Sequence, residues 1–138
     1  MESSFGTRFA LSKPIMRVLI IEREKTFRQS LSDFMESHRG FEVFTALSCR
    51  EGMSLLGKVP FDMVLCEYHL PDGNGFEMLK DLARQNPKLI SVLMTAHSDE
   101  SLKEEAEKAG IRGFLEKPFD LKDLEEIAEK VETLEKDL

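Results

Sequence analysis

The sequence has few cysteines, no long hydrophobic run and a deficit of positive charge, and each of these absences excludes a class of protein. Its two cysteines, Cys49 and Cys66, lie in different predicted elements and lack the spacing of a metal site. We therefore expect them to be reduced thiols of a cytoplasmic protein. No stretch is long and apolar enough for a signal peptide or a membrane span, so we expect no membrane association.

The balance of charge argues against a nucleic-acid-binding protein. The chain carries 19 lysines and arginines against 26 aspartates and glutamates, a net charge of −7. Because binding to a phosphate backbone depends on clustered lysine and arginine, we expect no direct contact with nucleic acid. The length of 138 residues is that of one globular domain. We expect residues 1–15 to form a flexible extension and residues 16–138 to form that domain.

Short apolar runs alternate with segments of helical periodicity. The runs are too short to be helices and are predicted to be five strands, at residues 17–21, 41–46, 61–66, 88–95 and 112–116. Each run is followed by a segment with apolar residues at helical spacing, such as Leu121, Leu124 and Ile127 in the last of them. The sequence therefore predicts five βα units.

Capping residues support the predicted helices. Candidate helix starts are Ser48 with Glu51 as a capping box, Ser98 and Asp120. Candidate helix ends are Gly40, Gly57 and Gly110. Strands that are continuously apolar and alternate with helices predict an α/β fold, in which a parallel sheet is covered by helices on both faces.

Polar residues lie where the predicted strands end. In open α/β sheets, ligands bind beyond the carboxyl ends of the strands. The residues at these ends are Glu22, Arg23 and Glu24 after the first strand, Glu67 after the third, Thr95 after the fourth and Lys117 after the fifth. These side chains form the candidate functional site.

Four of these features occur together in the order of a known family. They are the acidic cluster after the first strand, the carboxylate before "LPDGNG", the "TA" after the fourth strand and the "KPF" after the fifth. Over residues 16–135 the chain resembles the receiver domain of two-component response regulators. The resemblance implies a flavodoxin-like, doubly wound sheet of five parallel strands in the order 2-1-3-4-5, with five helices. It also implies that the chain is a signalling module of a phosphorelay and not an enzyme.

The family accepts a phosphoryl group from a histidine kinase on an aspartate, with magnesium bound nearby. By resemblance, the phosphoacceptor position is Glu67, the paired magnesium positions are Glu22 and Arg23, the phosphoryl-contacting hydroxyl is Thr95, the ion-pairing lysine is Lys117 and the switch aromatic is Phe114. Two positions depart from the family pattern. A glutamate replaces the aspartate nucleophile, and an arginine replaces one magnesium carboxylate.

The two departures balance each other in charge. The usual pocket has three carboxylates against one lysine, and a divalent cation neutralises the surplus. Here Glu22 and Glu67 face Arg23 and Lys117, so the sum is near zero unless Glu24 turns inward. An arginine in the pocket also repels a cation. We therefore expect a degenerate magnesium site at Glu22, Arg23 and Glu67, and no bound cofactor.

The glutamate at the acceptor position moves the carboxylate outward by one methylene, about 1.5 Å. A displacement of that size is costly for in-line attack, because misplacing a reacting group by ~1 Å slows a reaction on the order of a hundredfold. Two roles are open for Glu67. Either it mimics the phosphorylated state near Thr95 and Lys117, or it pairs inertly with Lys117 or Arg23 and holds one conformation.

Three classes of function fit these observations. Our interpretation is an atypical receiver that binds a histidine kinase, a phosphotransfer protein, an output protein or a second copy through helix four, strand five and helix five, without accepting phosphate. The second class is a phosphoacceptor that uses Glu67 or Asp62 with residual magnesium binding. The third is a metal or small-ligand sensor that uses the strand-end cluster, with imidazole ligands from His69 and His97 beside the carboxylates of Glu22 and Glu67. Otherwise we expect both histidines to be solvated in loops.

Overall fold

Side chains along the first strand alternate between two apolar layers. The computed structural model describes the backbone of residues 15–136 and the side chains of residues 15–133, so residues 1–14 of the predicted extension lie outside the described residues. In β1 (Arg17–Ile21), Val18 and Ile20 pack into one layer, and Leu19 and Ile21 pack into the other. All four are fully buried. A strand that is apolar on both faces is typical of the centre of a parallel sheet.

Five of the described strands form one parallel sheet. After β1 the chain contributes β2 (Glu42–Ala46), β3 (Met63–Glu67), the short strands β4 (His69–Leu70) and β5 (Gly73–Asn74), β6 (Ile90–Thr95) and β7 (Gly113–Glu116). The order of the parallel sheet is β2-β1-β3-β6-β7. Because β6 and β7 are the predicted fourth and fifth strands, the predicted order 2-1-3-4-5 and the flavodoxin-like class are confirmed.

Helices cover both faces of the sheet. The described helices are α1 (Lys25–Arg39), α2 (Cys49–Leu56), α3 (Gly75–Gln85), α4 (Glu100–Lys108) and α5 (Leu121–Lys136). Apolar residues of α1 and α5 pack into the layer of Val18, while those of α2, α3 and α4 pack into the layer of Leu19. No helix in the described part of the chain has both the length and the apolar composition needed to cross a bilayer.

Most of the predicted helix starts agree with the structure. The hydroxyl of Ser48 accepts the N–H of Glu51 at 3.2 Å, and the carboxylate of Asp120 accepts an N–H in the first turn of α5 at 3.0 Å. The predicted start at Ser98 is wrong by one residue, because α4 is capped by Asp99, whose carboxylate reaches a helical N–H at 2.7 Å. A carboxylate accepts this bond well because it carries charge toward the positive end of the helix.

A small hairpin joins β3 to α3. Its strands β4 and β5 pair antiparallel, and Leu70 is buried beneath it. The hairpin brings Gly75 against the end of β3, and a Cβ built on Gly75 would lie only 1.9 Å from the carbonyl oxygen of Glu67. A glycine is therefore required here for the backbone to pack beside the acceptor position.

This close approach predicts that Gly75→Ala destabilises the fold. The added methyl group meets backbone atoms that cannot rotate away, so we expect the free energy of unfolding to fall by about 3 kcal/mol. Urea unfolding measures this change. The control is Gly57→Ala, where the nearest atoms are 3.6 Å from the added Cβ and the change should stay below about 1 kcal/mol. Equal urea midpoints for the two variants would contradict the packing of Gly75.

Candidate functional site

Two buried carboxylates end neighbouring strands. The pairing of β1 with β3 places Ile21 opposite Cys66, so the residues that follow them, Glu22 and Glu67, lie side by side at the carboxyl edge. Glu22 extends the sheet, because its N–H donates to the carbonyl of Ala46 at 3.0 Å. The exposed fractions of Glu22 and Glu67 are only 1% and 7%. Two negative charges are therefore held together away from water.

Lys117 supplies the positive charge between them. Its backbone N–H donates to the carbonyl of Thr95 at 2.7 Å, which extends the sheet beyond β7. Its ammonium donates to Oε1 of Glu22 at 2.6 Å and to Oε1 of Glu67. Burial by itself lowers the pKa of Lys117, but the hydrogen bonds and charges of the two carboxylates raise this pKa above its usual value overall. The lysine is thus cationic at neutral pH and shared by both acids.

Backbone N–H groups satisfy the remaining carboxylate oxygens. Oε2 of Glu22 accepts the N–H of Glu24 at 3.0 Å, and Oε2 of Glu67 accepts the N–H of His69 at 3.3 Å. All four oxygens of the pair therefore have a donor. We refer to Glu22, Glu67 and Lys117 as the charged centre.

Arg23 and Glu24 lie outside the charged centre. Arg23 is exposed and makes no ion pair with the described side chains of residues 15–133, and the contact from Arg28 is to its carbonyl oxygen. Glu24 turns to the start of α1, where its carboxylate accepts the N–H groups of Thr26 and Phe27 at 3.2 and 2.6 Å. The predicted balance of Glu22 and Glu67 against Arg23 and Lys117 is therefore not formed by direct contacts, because Arg23 does not contact either carboxylate. Arg23 lies in a bend beyond the end of β1, and its side chain is exposed to solvent.

Thr95 lies on the other side of the sheet from the charged centre. It follows Met94, which packs into the α1/α5 layer, so the side chain of Thr95 points toward α4. Its hydroxyl accepts the N–H of His97 at 3.1 Å. Among the described residues, no hydrogen bond joins Thr95 to Glu67. The sequence therefore predicted that Thr95 lies at this edge of the sheet but did not predict the direction of its side chain.

The two histidines of the predicted sensor site line a cavity beside Thr95. The cavity has a volume of about 420 Å³, and the rings of His69 and His97 are 6.4 Å apart between centroids. His69 lies in β4 and not in a loop as predicted, and both histidines are exposed. Among the side chains of residues 15–133, no three from His, Cys, Asp or Glu are placed to share a metal ion.

Phe114, the predicted switch aromatic, is half-buried in β7. Its ring packs on the α2/α3/α4 side of the sheet, and the ammonium of Lys103 lies 5.7 Å from the ring centroid. The ring borders a cavity of about 360 Å³ between α4, β7 and α5. Phe114 is thus on the surface through which the sequence predicted partner contacts.

Asp72 is an anchoring residue that the sequence patterns do not reveal. Its carboxylate accepts the N–H groups of Cys49 and Arg50 at 2.8 and 2.9 Å and so ties the β4–β5 hairpin to the start of α2. These hydrogen bonds, first that from Arg50 and then that from Cys49, hold the pKa of Asp72 below its usual value. The only signal in the sequence is the helix start at Ser48. This signal does not identify the distant carboxylate that reaches the start of the helix.

Comparison with known proteins decides the family. The family model of the response regulator receiver domain matches residues 18–129. The chain belongs to this family. The resemblance inferred from the four sequence features is thereby confirmed.

Relatives of this receiver domain are longer proteins. It is 31% identical over 112 residues to the transcriptional regulatory protein CrdR of Helicobacter pylori, covering 79% of this chain and 51% of CrdR. It is 34% identical over 108 residues to the KDP operon transcriptional regulatory protein KdpE of Escherichia coli, covering 78% of this chain and 47% of KdpE. The chain thus spans about half the length of these relatives.

A solved structure has the same fold. The receiver domain superimposes on the crystal structure of a response regulator receiver domain protein (CheY-like) from Methanospirillum hungatei with a TM-score of 0.82 and 26% identity. The match covers 91% of this chain and all of the other. The five-stranded receiver fold is therefore complete within the described residues.

The shared lysine predicts a large loss of stability in Lys117→Met. Removing the ammonium leaves two buried carboxylates facing each other, and breaking a buried ion pair costs about 3–5 kcal/mol. Urea unfolding at neutral pH measures the loss. The control Lys80→Met removes a lysine whose side chain is 42% exposed and which pairs with Glu77 on the surface, so its cost should stay below about 1 kcal/mol. Similar losses in both variants would contradict the buried pairing.

The anchor at Asp72 predicts a pH-dependent effect of Asp72→Asn. Because folding lowers the pKa of Asp72, its contribution to stability is full above the usual value of 3.8 and is lost as the pH falls through the lower folded value. We expect the variant to be less stable than the wild type at pH 7 and the difference to vanish in acid. Urea midpoints across this pH range measure the effect. Asp81→Asn, at an exposed surface pair, should change stability little at any pH.

Proposed function

We propose that this chain is an atypical receiver domain, a protein-interaction module of a two-component phosphorelay that does not accept phosphate at Glu67. The observation that carries the proposal is the shared ammonium of Lys117, which contacts both Glu22 and Glu67. It holds the acceptor-position carboxylate in an ion pair with the remaining family acid. The module then acts through its protein surfaces and not through phosphoryl chemistry of its own.

The residues at the strand ends do not fit a bound magnesium ion. Magnesium requires oxygen ligands in near-octahedral geometry. The four oxygens of Glu22 and Glu67 already accept hydrogen bonds, and the position of the second family acid is taken by Arg23, which is exposed. An ion bound by these carboxylates would have to displace the ammonium of Lys117 or lie beside its like charge. The proposed function therefore includes no metal cofactor.

Of the two roles left open for Glu67, its contacts favour pairing over mimicry. Its carboxylate accepts hydrogen bonds from Lys117 and from the N–H of His69, and among the described residues it accepts none from Thr95. A mimic of the phosphorylated state would engage the Thr95 hydroxyl, which points to the other side of the sheet. We infer that Glu67 holds the domain in one conformation.

The partners that we infer are a histidine kinase, a phosphotransfer protein or an output protein, in the cytoplasm. The curated relatives are transcriptional regulatory proteins of about twice this length, so an output function would reside outside the region they share with this chain. The surface of α4, β7 and α5 has mixed charge, with Lys103, Glu107, Glu126 and Lys130 around its cavity. Mixed charge suits a protein partner or a second copy and does not suit nucleic acid.

Incubation with acetyl phosphate and magnesium tests the proposal. We expect the intact mass of the wild-type protein to stay unchanged, because the acceptor carboxylate is paired and no ion assists the transfer. The single variant Glu67→Asp should also stay unlabelled, since Arg23 still replaces the second acid. Mass spectrometry measures the result, and a phosphoryl adduct on Glu67 of the wild type, located by fragmentation, would refute the proposal.

The double variant Arg23→Asp/Glu67→Asp is the matched positive control. It restores both family residues, so it should accept phosphate from acetyl phosphate and gain thermal stability with magnesium, whereas the wild type should show no saturating gain. If the folded double variant remained unlabelled, the loss of phosphoryl transfer could not be assigned to these two positions.

A further inference from the structure

Phe27 contacts the charged centre from α1. Its ring centroid lies 4.3 Å from the ammonium nitrogen of Lys117. A cation over an aromatic ring is attracted by the negative potential of the ring face. The ammonium of Lys117 therefore has three partners, which are the carboxylates of Glu22 and Glu67 and the ring of Phe27.

The same ring forms part of an apolar surface groove. Phe27 packs edge-to-face on Phe119, with centroids 5.1 Å apart and ring planes at 80°. Both rings line an open groove of about 320 Å³ between α1 and the start of α5, together with Leu31, Phe34, Leu121 and Leu124. Phe27 is half-buried, so one side is available to the groove while the ring contacts the ammonium. It is thus shared by the groove and the charged centre.

We propose that Phe27 is a positioning residue that holds the ammonium of Lys117 between Glu22 and Glu67 and so couples the groove to the charged centre. This role deepens the proposed function, on which it rests, because it gives a receiver without phosphoryl chemistry a physical link between its surface groove and the carboxylate of Glu67.

The physical reason lies in the flexibility of lysine. The ammonium is a compact charge at the end of a four-carbon stem that rotates freely unless its surroundings restrict it. The two carboxylates attract it, and the ring of Phe27 covers the ammonium on one side and limits its access to water. A change in the position of the ring therefore changes the position of the ammonium relative to the two carboxylates.

Substitution of the ring tests this role. Phe27→Leu keeps an apolar side chain but removes the ring, and Phe27→Trp restores a ring that attracts cations. Phe119→Leu is the matched control, because Phe119 lines the same groove and packs on Phe27, whereas the cation–ring contact is made by Phe27. Each variant is first checked by urea unfolding, and measurements are made where it is folded. Phe27→Met replaces Phe27→Leu should the latter not fold.

Two readouts report directly on Lys117. The first is the rate at which its ammonium protons exchange with water, followed by NMR. The second is its rate of reductive methylation relative to exposed Lys80, followed by mass spectrometry. Because the ring covers the ammonium and shields it from water, Phe27→Leu should speed both the exchange and the methylation by about threefold. The Phe27→Trp and Phe119→Leu variants should behave as the wild type.

The outcomes separate positioning from general packing. If Phe27→Leu left both readouts unchanged, or if Phe119→Leu changed them equally, the positioning role would be overturned. Failure of the proposed function is a separate result, because phosphorylation of Glu67 by acetyl phosphate would refute that function while the readouts on Lys117 still decide the role of Phe27.

Discussion

The structure depends on keeping two carboxylates buried side by side with one lysine. Removing a charged group from water costs several kcal/mol unless a partner of opposite charge and hydrogen bonds replace the water. Glu22 and Glu67 obtain both from the ammonium of Lys117 and from the N–H groups of Glu24 and His69. These partners come from the ends of β1, β3 and β7, so the centre forms only when the sheet is correctly assembled.

Strand alternation divides the carboxyl edge of the sheet into two environments. Every second residue leading to Glu22, to Glu67 and to Lys117 packs into the α1/α5 layer, so these side chains converge on one side. Thr95 falls on the opposite side, with His97 and the cavity bordered by α4. Sites at the same sheet edge therefore differ in charge and in neighbours, although they are only one strand apart.

Sequence alone could predict the fold and the strand-end residues because both follow from regular patterns. Continuous apolar runs locate parallel strands, and the order of the sheet places their polar ends at one edge. The direction of Arg23, the capping role of Glu24 and the anchor from Asp72 to α2 could not be predicted in this way. Each depends on which of several reachable partners a long or distant side chain contacts, and that choice is made by the assembled tertiary structure.

The two departures from the family pattern act through different physics. Glu67 changes the contacts of the centre directly, since its longer side chain reaches Lys117 with one oxygen and the N–H of His69 with the other. Arg23 is exposed, and its charge acts on the centre only through solvent, which screens it. In direct contact, therefore, the single ammonium of Lys117 faces the two carboxylates of Glu22 and Glu67. Hydrogen bonds from the backbone stabilise the remaining negative charge. The main effect of Arg23 is therefore the loss of a magnesium ligand, because its exposed side chain does not place a replacement cation in the charged centre.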